Sequence, residues 1–342
     1  MADGALPSGD LPDVSLRTRI EIGLVNNMPD AALAATERQF AGLLAATAGD
    51  LDVRLKLFSL PGTPRSDATR LVMRDRYVEI DDLDALKVDA LIVTGNEPKT
   101  PDIRSEPYFP HLARLIDWAE HNTLSTLWSC LAAHAAVLHL DGVERRPLAQ
   151  KCAGVFLCEQ VADDPLMTGM ASMIRMPHSR RNGLSVGDLA AKGYHLLTHS
   201  REAGADLFVR RGESLFVFFQ GRPEYDADSL LKEYCRDVAR HLRSEMEDPP
   251  PLPVGYFDAR TEAAFRALAE EARRSRSEAL IEQYAEIAAE FHAPQPWRHH
   301  AEVLFGNWLQ QIALMKAVRA LPAYVFAAAE DGLRQSLPLA VS

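Results

Sequence analysis

The stretch Ser125 to Gly142, STLWSCLAAHAAVLHLDG, decides the fold of this chain. Leu124 to Ser129 is short, apolar and β-prone, whereas Leu131 to Leu140 is rich in Ala and Leu, with no helix breaker before Asp141-Gly142. The pattern predicts a strand that runs at once into a helix, and Cys130 stands at the junction. A side chain at such a sharp turn projects from the carboxyl edge of a sheet, where backbone N–H groups at the helix start favour a thiolate and a developing oxyanion. This is the nucleophile elbow of hydrolases with Cys in place of Ser. Position alone leaves a second reading open, in which Cys130 is a small buried hydrophobe like most free cysteines.

The elbow sits in a chain of 342 residues, 47% hydrophobic and 25% charged, a size that suits one large α/β domain with additions or two smaller ones. The net charge of −11 argues against a nucleic-acid footprint or an anionic-membrane role, both of which need clustered Lys and Arg. An anionic substrate would have to be met by local basic residues. The opening MADGALPSGDLPDVS lacks the charged and apolar regions of a signal peptide, and no run approaches the ~18 apolar residues of a spanning helix. A cytoplasmic protein is expected. Cys130, Cys152, Cys158 and Cys235 show no CxxC spacing, so neither a disulfide framework nor a zinc site is indicated.

Upstream of the elbow, RIEIGLVN (Arg19 to Asn26) predicts a strand ending in the polar turn Asn26-Asn27-Met28-Pro29-Asp30, followed by a helix over Ala31 to Ala46. Leu51 to Leu60 alternates like a second strand, and the apolar run Ala90 to Val93 reads as a buried parallel strand before Thr94-Gly95-Asn96. Strands alternating with helices predict a doubly wound, mostly parallel sheet. Ligands of such sheets bind beyond the carboxyl ends of the strands, which would gather Asn26-Asn27, Thr94-Gly95-Asn96 and Cys130. Downstream, Cys152 to Cys158 is β-like, Pro177-His178-Ser179-Arg180 reads as a polar turn, and Tyr194 to Ser200, Ala205 to Arg210 and Leu215 to Gln220 read as strands. Helices are expected at Ser229 to Arg243, over 261 to 292 as one long helix or a pair, and at Trp297 to Met315, with Pro249 to Pro253 as a linker. The organisation expected is a disordered tail over 1–18, a main domain over 19–246, a linker and helical addition packing on it over 247–320, and a tail over 321–342.

Six separated blocks occur in order: NNMPDAALAATERQF (Asn26 to Phe40), ALIVTGN (Ala90 to Asn96), STLWSC (Ser125 to Cys130), PHSR (Pro177 to Arg180), GRPEYD with CRDV (Gly221 to Asp226, Cys235 to Val238), and WRHHAEVLFGNWL (Trp297 to Leu309). Together they resemble the homoserine O-succinyltransferase/O-acetyltransferase family of methionine biosynthesis, related in fold to class I glutamine amidotransferases. The resemblance implies that Cys130 attacks an acyl-CoA thioester and passes the acyl group to the hydroxyl of homoserine, a ping-pong sequence. It places Lys151 and Ser179 at substrate-contacting positions and Arg236 on the amino-acid carboxylate, a task suited to bidentate pairing. It also makes Glu224 the carboxylate that orients a histidine base.

The base position, however, holds Arg222, and a guanidinium does not give up its proton near neutral pH. Arg222 is therefore expected to support the Cys130 thiolate and not to deprotonate a hydroxyl. His134, one helical turn after Cys130, is either a displaced base or a hydrogen-bonded core histidine. His178 is a second candidate, and loss of the base in a non-catalytic homologue that keeps the ligand pocket is a third. An amidotransferase-like hydrolase would use the same elbow but wants the missing histidine. The family's MPxK turn is here Met28-Pro29-Asp30-Ala31, without the basic residue. Lys99 stands where the resemblance places acyl-chain selection, Glu going with acetyl-CoA and Gly with succinyl-CoA, so its positive charge implies succinyl-CoA. No permanent cofactor and no metal are expected, acyl-CoA being a co-substrate, and a homodimer is implied by the resemblance.

Overall fold

The strands Ala90–Thr94 (β4), Ser125–Ser129 (β5) and Leu215–Phe219 (β10) are buried at every residue, as unbroken apolar runs covered on both faces must be. They form the centre of a ten-stranded sheet in this computed structural model, which describes residues 17–80 and 83–321. The tails expected at either end fall almost wholly outside the described residues. Arg19–Val25 (β1), Asp52–Ser59 (β2) and Tyr77–Glu79 (β3) extend the sheet on one side, giving the parallel order β3-β2-β1-β4-β5-β10. On the other side Gly204–Arg211 (β9), His195–Ser200 (β8), Arg146–Gln160 (β6) and Met173–Gly183 (β7) continue it with antiparallel pairing throughout. The architecture is mixed α/β with a large, mostly parallel sheet.

Alternate strand residues feed two cores. Leu91, Val93, Trp128, Phe216 and Phe218 pack with Phe109–Asn122 (α3) and Leu131–Asp141 (α4). Ile92, Leu127, Val217 and Phe219 face the opposite layer, built from Asp30–Thr47 (α1) and Arg298–Arg319 (α9). The expected double winding is thus present. The 261–292 segment is a helix pair, Ala259–Arg274 (α7) and Leu280–Glu290 (α8), packed with Ser229–Leu242 (α6) and Trp297 around Tyr234, Phe257 and Phe265.

One expectation fails. Pro177-His178-Ser179-Arg180 is not a turn but lies inside β7, paired with β6 from Val155↔Pro177 to Cys152↔Arg180. Local polarity suggested a turn, but pairing with a long partner strand prevails, and His178 and Arg180 are buried there. The sequence also gave no warning of Asp67–Met73 (α2), the three-residue β3, α3, or the short helix Val186–Ala191 (α5).

Candidate active site

The carboxyl ends of β1, β4, β5 and β10 lie side by side, with Val25 level with Val93, Thr94 level with Ser129, and Ser129 level with Phe219. Asn27 ties the first two turns together, its backbone N–H donating to Thr94 Oγ1 at 2.8 Å and its Nδ2 to the Thr94 carbonyl at 3.0 Å. Cys130 sits at the elbow with φ 54° and ψ −112°, a left-handed conformation that costs a non-glycine residue about 1–3 kcal/mol. Its N–H donates to the Phe219 carbonyl at 2.8 Å, which fixes the elbow to β10. A Cβ on Gly95 would lie 2.9 Å from the backbone nitrogen and Cα of Leu131. Only glycine lets the β4 turn approach the helix start so closely, where the N–H groups of the first helical turn have no partner within the helix.

Arg222 and Glu224 come from the loop after β10. Both are buried, and Arg222 Nε donates to Glu224 Oε1 at 2.7 Å. That oxygen also accepts from Ser129 Oγ at 3.4 Å, while Oε2 has no partner. The guanidinium lies 4.6 Å from the Tyr225 ring centroid and touches Met28 Sδ at 3.9 Å, a cation–π geometry. Burial alone would lower the Arg222 pKa, but Tyr225, Glu224, Cys130 and Glu233 together raise it well above its usual value. Arg222 is a permanent cation within electrostatic reach of Cys130.

His134 is buried, and its Nε2 lies 3.1 Å from Gln220 Oε1. That oxygen already accepts from the Leu184 N–H at 3.1 Å and cannot donate, so Nε2 carries the proton and Nδ1, which has no partner, is bare. Burial lowers the His134 pKa to about 3, with the Arg180 charge adding to the effect. The ring is turned to Gln220 and makes no hydrogen bond to Cys130. His178 is fully buried, 3.2 Å from Asp206, and makes no hydrogen bond to the thiol.

A second cluster surrounds Glu233 and Asp237, one turn apart on α6. Lys151 Nζ is 2.8 Å from Asp237 Oδ2 and 3.7 Å from Glu233 Oε2. Ser179 Oγ and Tyr225 OH both donate to Glu233, and Arg236 donates twice to Asp237 Oδ1, at 3.0 and 2.8 Å. Burial would raise the Glu233 pKa, but the Lys151 charge and the hydrogen bonds from Ser179 and Tyr225 outweigh it and lower it. Asp237 is lowered in the same way by Lys151 and Arg236. Tyr225 links this cluster to Arg222, so Lys151, Ser179, Arg236, Arg222 and Glu224 form one network at Cys130. Lys99 is exposed in the loop after β4. Its backbone N–H is held by the buried Glu106, and neighbouring Glu97 reaches Arg240 of α6 at 3.4 Å.

Sequence reasoning missed Glu233 and Asp237, although their spacing of four on a helix put both carboxylates on one face. It also missed Arg65, a buried guanidinium that donates to the Met28 carbonyl and, at 2.8 Å, to that of Asn26. Arg65 brings a cation from another segment to the Met28-Pro29-Asp30 turn, and only the fold reveals it.

A doubly wound sheet with a cysteine elbow between two parallel strands, and a loop carrying an acidic residue beside it, defines an α/β protein with a nucleophile elbow. A glutamine amidotransferase from Methylobacillus flagellatus aligns over 86% of this chain and 95% of its own, at 15% identity and a TM-score of 0.49. The family model described as homoserine O-succinyltransferase matches residues 15–317, and the chain belongs to that family. A homoserine O-succinyltransferase of Rhodopseudomonas palustris is 53% identical over 303 residues, 88% of this chain and 91% of the relative. One from Bradyrhizobium japonicum is 48% identical over 296 residues, 86% and 90% of the two chains. Among the described residues no helix is long and apolar enough to cross a membrane.

Proposed function

We propose that this chain transfers an acyl group, succinyl in preference to acetyl, from an acyl-CoA through Cys130 to the hydroxyl of homoserine. The observation that carries the reading is the strained Cys130 elbow beside a buried, permanently charged Arg222, joined through Tyr225 to the Lys151, Ser179, Glu233 and Arg236 cluster. The Cys130 thiolate attacks the thioester carbonyl, helix-start N–H groups stabilise the oxyanion, and the carbon–sulfur bond to CoA breaks. Arg236 has Nε and Nη2 on Asp237, which leaves Nη1 for the carboxylate of the amino acid. Glu233 offers a negative charge to its ammonium group. Lys99 meets the distal carboxylate of a succinyl chain. The homodimer implied by the resemblance belongs to the same proposal.

Attack by the homoserine hydroxyl on the Cys130 thioester releases a proton that Arg222 cannot take. His134 has little basicity in its buried place. In place of the ping-pong release that the resemblance implies, we assign the proton to the CoA thiolate, held near Arg222 until homoserine attacks, so that CoA leaves as the free thiol and Cys130 returns as thiolate without a further base. A second reading, a ligand-binding homologue without turnover, is favoured by the 2.7 Å Arg222–Glu224 pair standing where a base would be. Intact-mass measurement after mixing with succinyl-CoA separates them. Acyl transfer requires a succinyl adduct on Cys130 that is discharged by homoserine, quickly with CoA present and slowly after CoA is removed. Absence of any adduct establishes the binder.

A further inference from the structure

Cys158 of β6, His178 of β7 and Asp206 of β9 meet in a place the acyl-transfer chemistry does not use. All three are fully buried, and one donor atom from each lies within 4.8 Å of the other two. His178 Nε2 is 3.2 Å from Asp206 Oδ1, yet the approach is off-line for a hydrogen bond, and both ring nitrogens and Oδ1 are without partners. Arg180, whose charge is felt at Cys158 and His178, donates instead to the carbonyls of Asn182 and Ala203. The Asp206 carboxylate therefore has no cation in hydrogen-bonding contact, in a pocket walled by Ile174 and Met176. A buried carboxylate left so is costly.

We propose that Cys158, His178 and Asp206 are three of the four ligands of a buried Zn²⁺ ion, the fourth position falling to a water molecule. Thiolate, imidazole and carboxylate are the donors zinc takes, and at bond lengths of ~2.0–2.1 Å a 3.2 Å separation of nitrogen and oxygen subtends about 100° at the metal, near the tetrahedral angle. As the zinc–sulfur bond forms, the Cys158 proton leaves to solvent, and one thiolate and one carboxylate neutralise the ion. Thr198 Oγ1, 2.8 Å from Asp206 Oδ2, holds the carboxylate in orientation, as outer hydrogen bonds do in zinc sites. The site lies under the catalytic loop. A Cβ on Gly221 would strike Asp206 and come within 3.4 Å of His178 Nε2. The Gln220 N–H donates to the Asp206 carbonyl and the Arg222 N–H to the Pro177 carbonyl, both at 2.8 Å. Zinc here would fasten β6, β7 and β9 beneath the loop that carries Arg222 and Glu224.

The test is the metal content of the full chain, expressed with zinc in the medium and purified without chelator. Close to one zinc per chain is expected, lost in Cys158→Ala and in Asp206→Asn. Because those variants could misfold, wild-type protein stripped by chelator and titrated with Co²⁺ gives a second readout. Tetrahedral d–d bands and a sulfur-to-cobalt charge-transfer band are expected, the latter absent in Cys158→Ala. Zinc far below one equivalent together with no cobalt spectrum overturns the proposal, as does zinc that persists at full occupancy in both variants.

Discussion

His134→Gln separates two readings of one buried ring. Burial lowers the His134 pKa to about 3, against about 6.5 in the unfolded chain. Between those values the unfolded state binds a proton that the folded state does not, so stability falls as pH falls through that window. From pH 7 to pH 5 the loss from this one group is about 2 kcal/mol, and it continues to grow towards pH 3. Gln does not titrate and can still donate to Gln220 Oε1, so the variant should lose about 2 kcal/mol less than wild type between pH 7 and pH 5. Urea denaturation at the two pH values measures this, with the slope compared to check that the unfolded state is unchanged. The same variant should transfer succinyl to homoserine at near the wild-type rate, since the ring faces Gln220 and not the thiol. Intact Cys130 acylation with abolished acceptor turnover would make His134 the base and refute the reasoning, and an unaltered pH dependence of stability would refute the electrostatic part.

Substitutions at three other positions probe the site. Arg222→Met leaves Glu224 with only Ser129 Oγ for company in a dry site and should cost about 3–5 kcal/mol of stability by urea titration, whereas Arg222→His, which restores a donor, should cost less. Equal losses would show that the pair carries no special weight. Gly95→Ala would press a methyl group onto the Leu131 backbone, so Cys130 acylation should fall by about 100-fold, as displacements near 1 Å do, and unchanged acylation would remove the β4 turn from the oxyanion site. Lys99→Glu should lower the succinyl-to-acetyl ratio of acylation rates by about 30-fold, the effect of about 1 kcal/mol for each of the two charges changed in a solvated loop, and a ratio that does not move would free Lys99 of any part in acyl selection.

The parallel half of the fold was legible because each signal there is local. The apolar run of Ala90 to Val93 and the strand-to-helix switch at Cys130 fix strands and direction without any knowledge of partners. The antiparallel half was less so. Its strand β7 contains Pro177, Ser179 and three arginines, Arg175, Arg180 and Arg181, and the reason it is a strand is its ladder with β6, some twenty residues away. Pairing of that kind overrides local propensity, and no window of sequence contains it. The three-residue strand β3 was hidden for the same reason.

The site divides along the same line. Cys130, Arg222 and Glu224 stand in blocks whose order along the chain already implied their meeting, and the sheet brings the ends of β5 and β10 together as that order requires. What the blocks did not contain was the electrostatic setting. Arg222 is flanked by Glu224, Glu233 and the Tyr225 ring, and only this surplus of negative partners explains why a cation stays charged in a place from which water is excluded. The arginine and the acidic face of α6 are therefore one arrangement, in which Glu224 and Glu233 keep the buried cation charged beside Cys130.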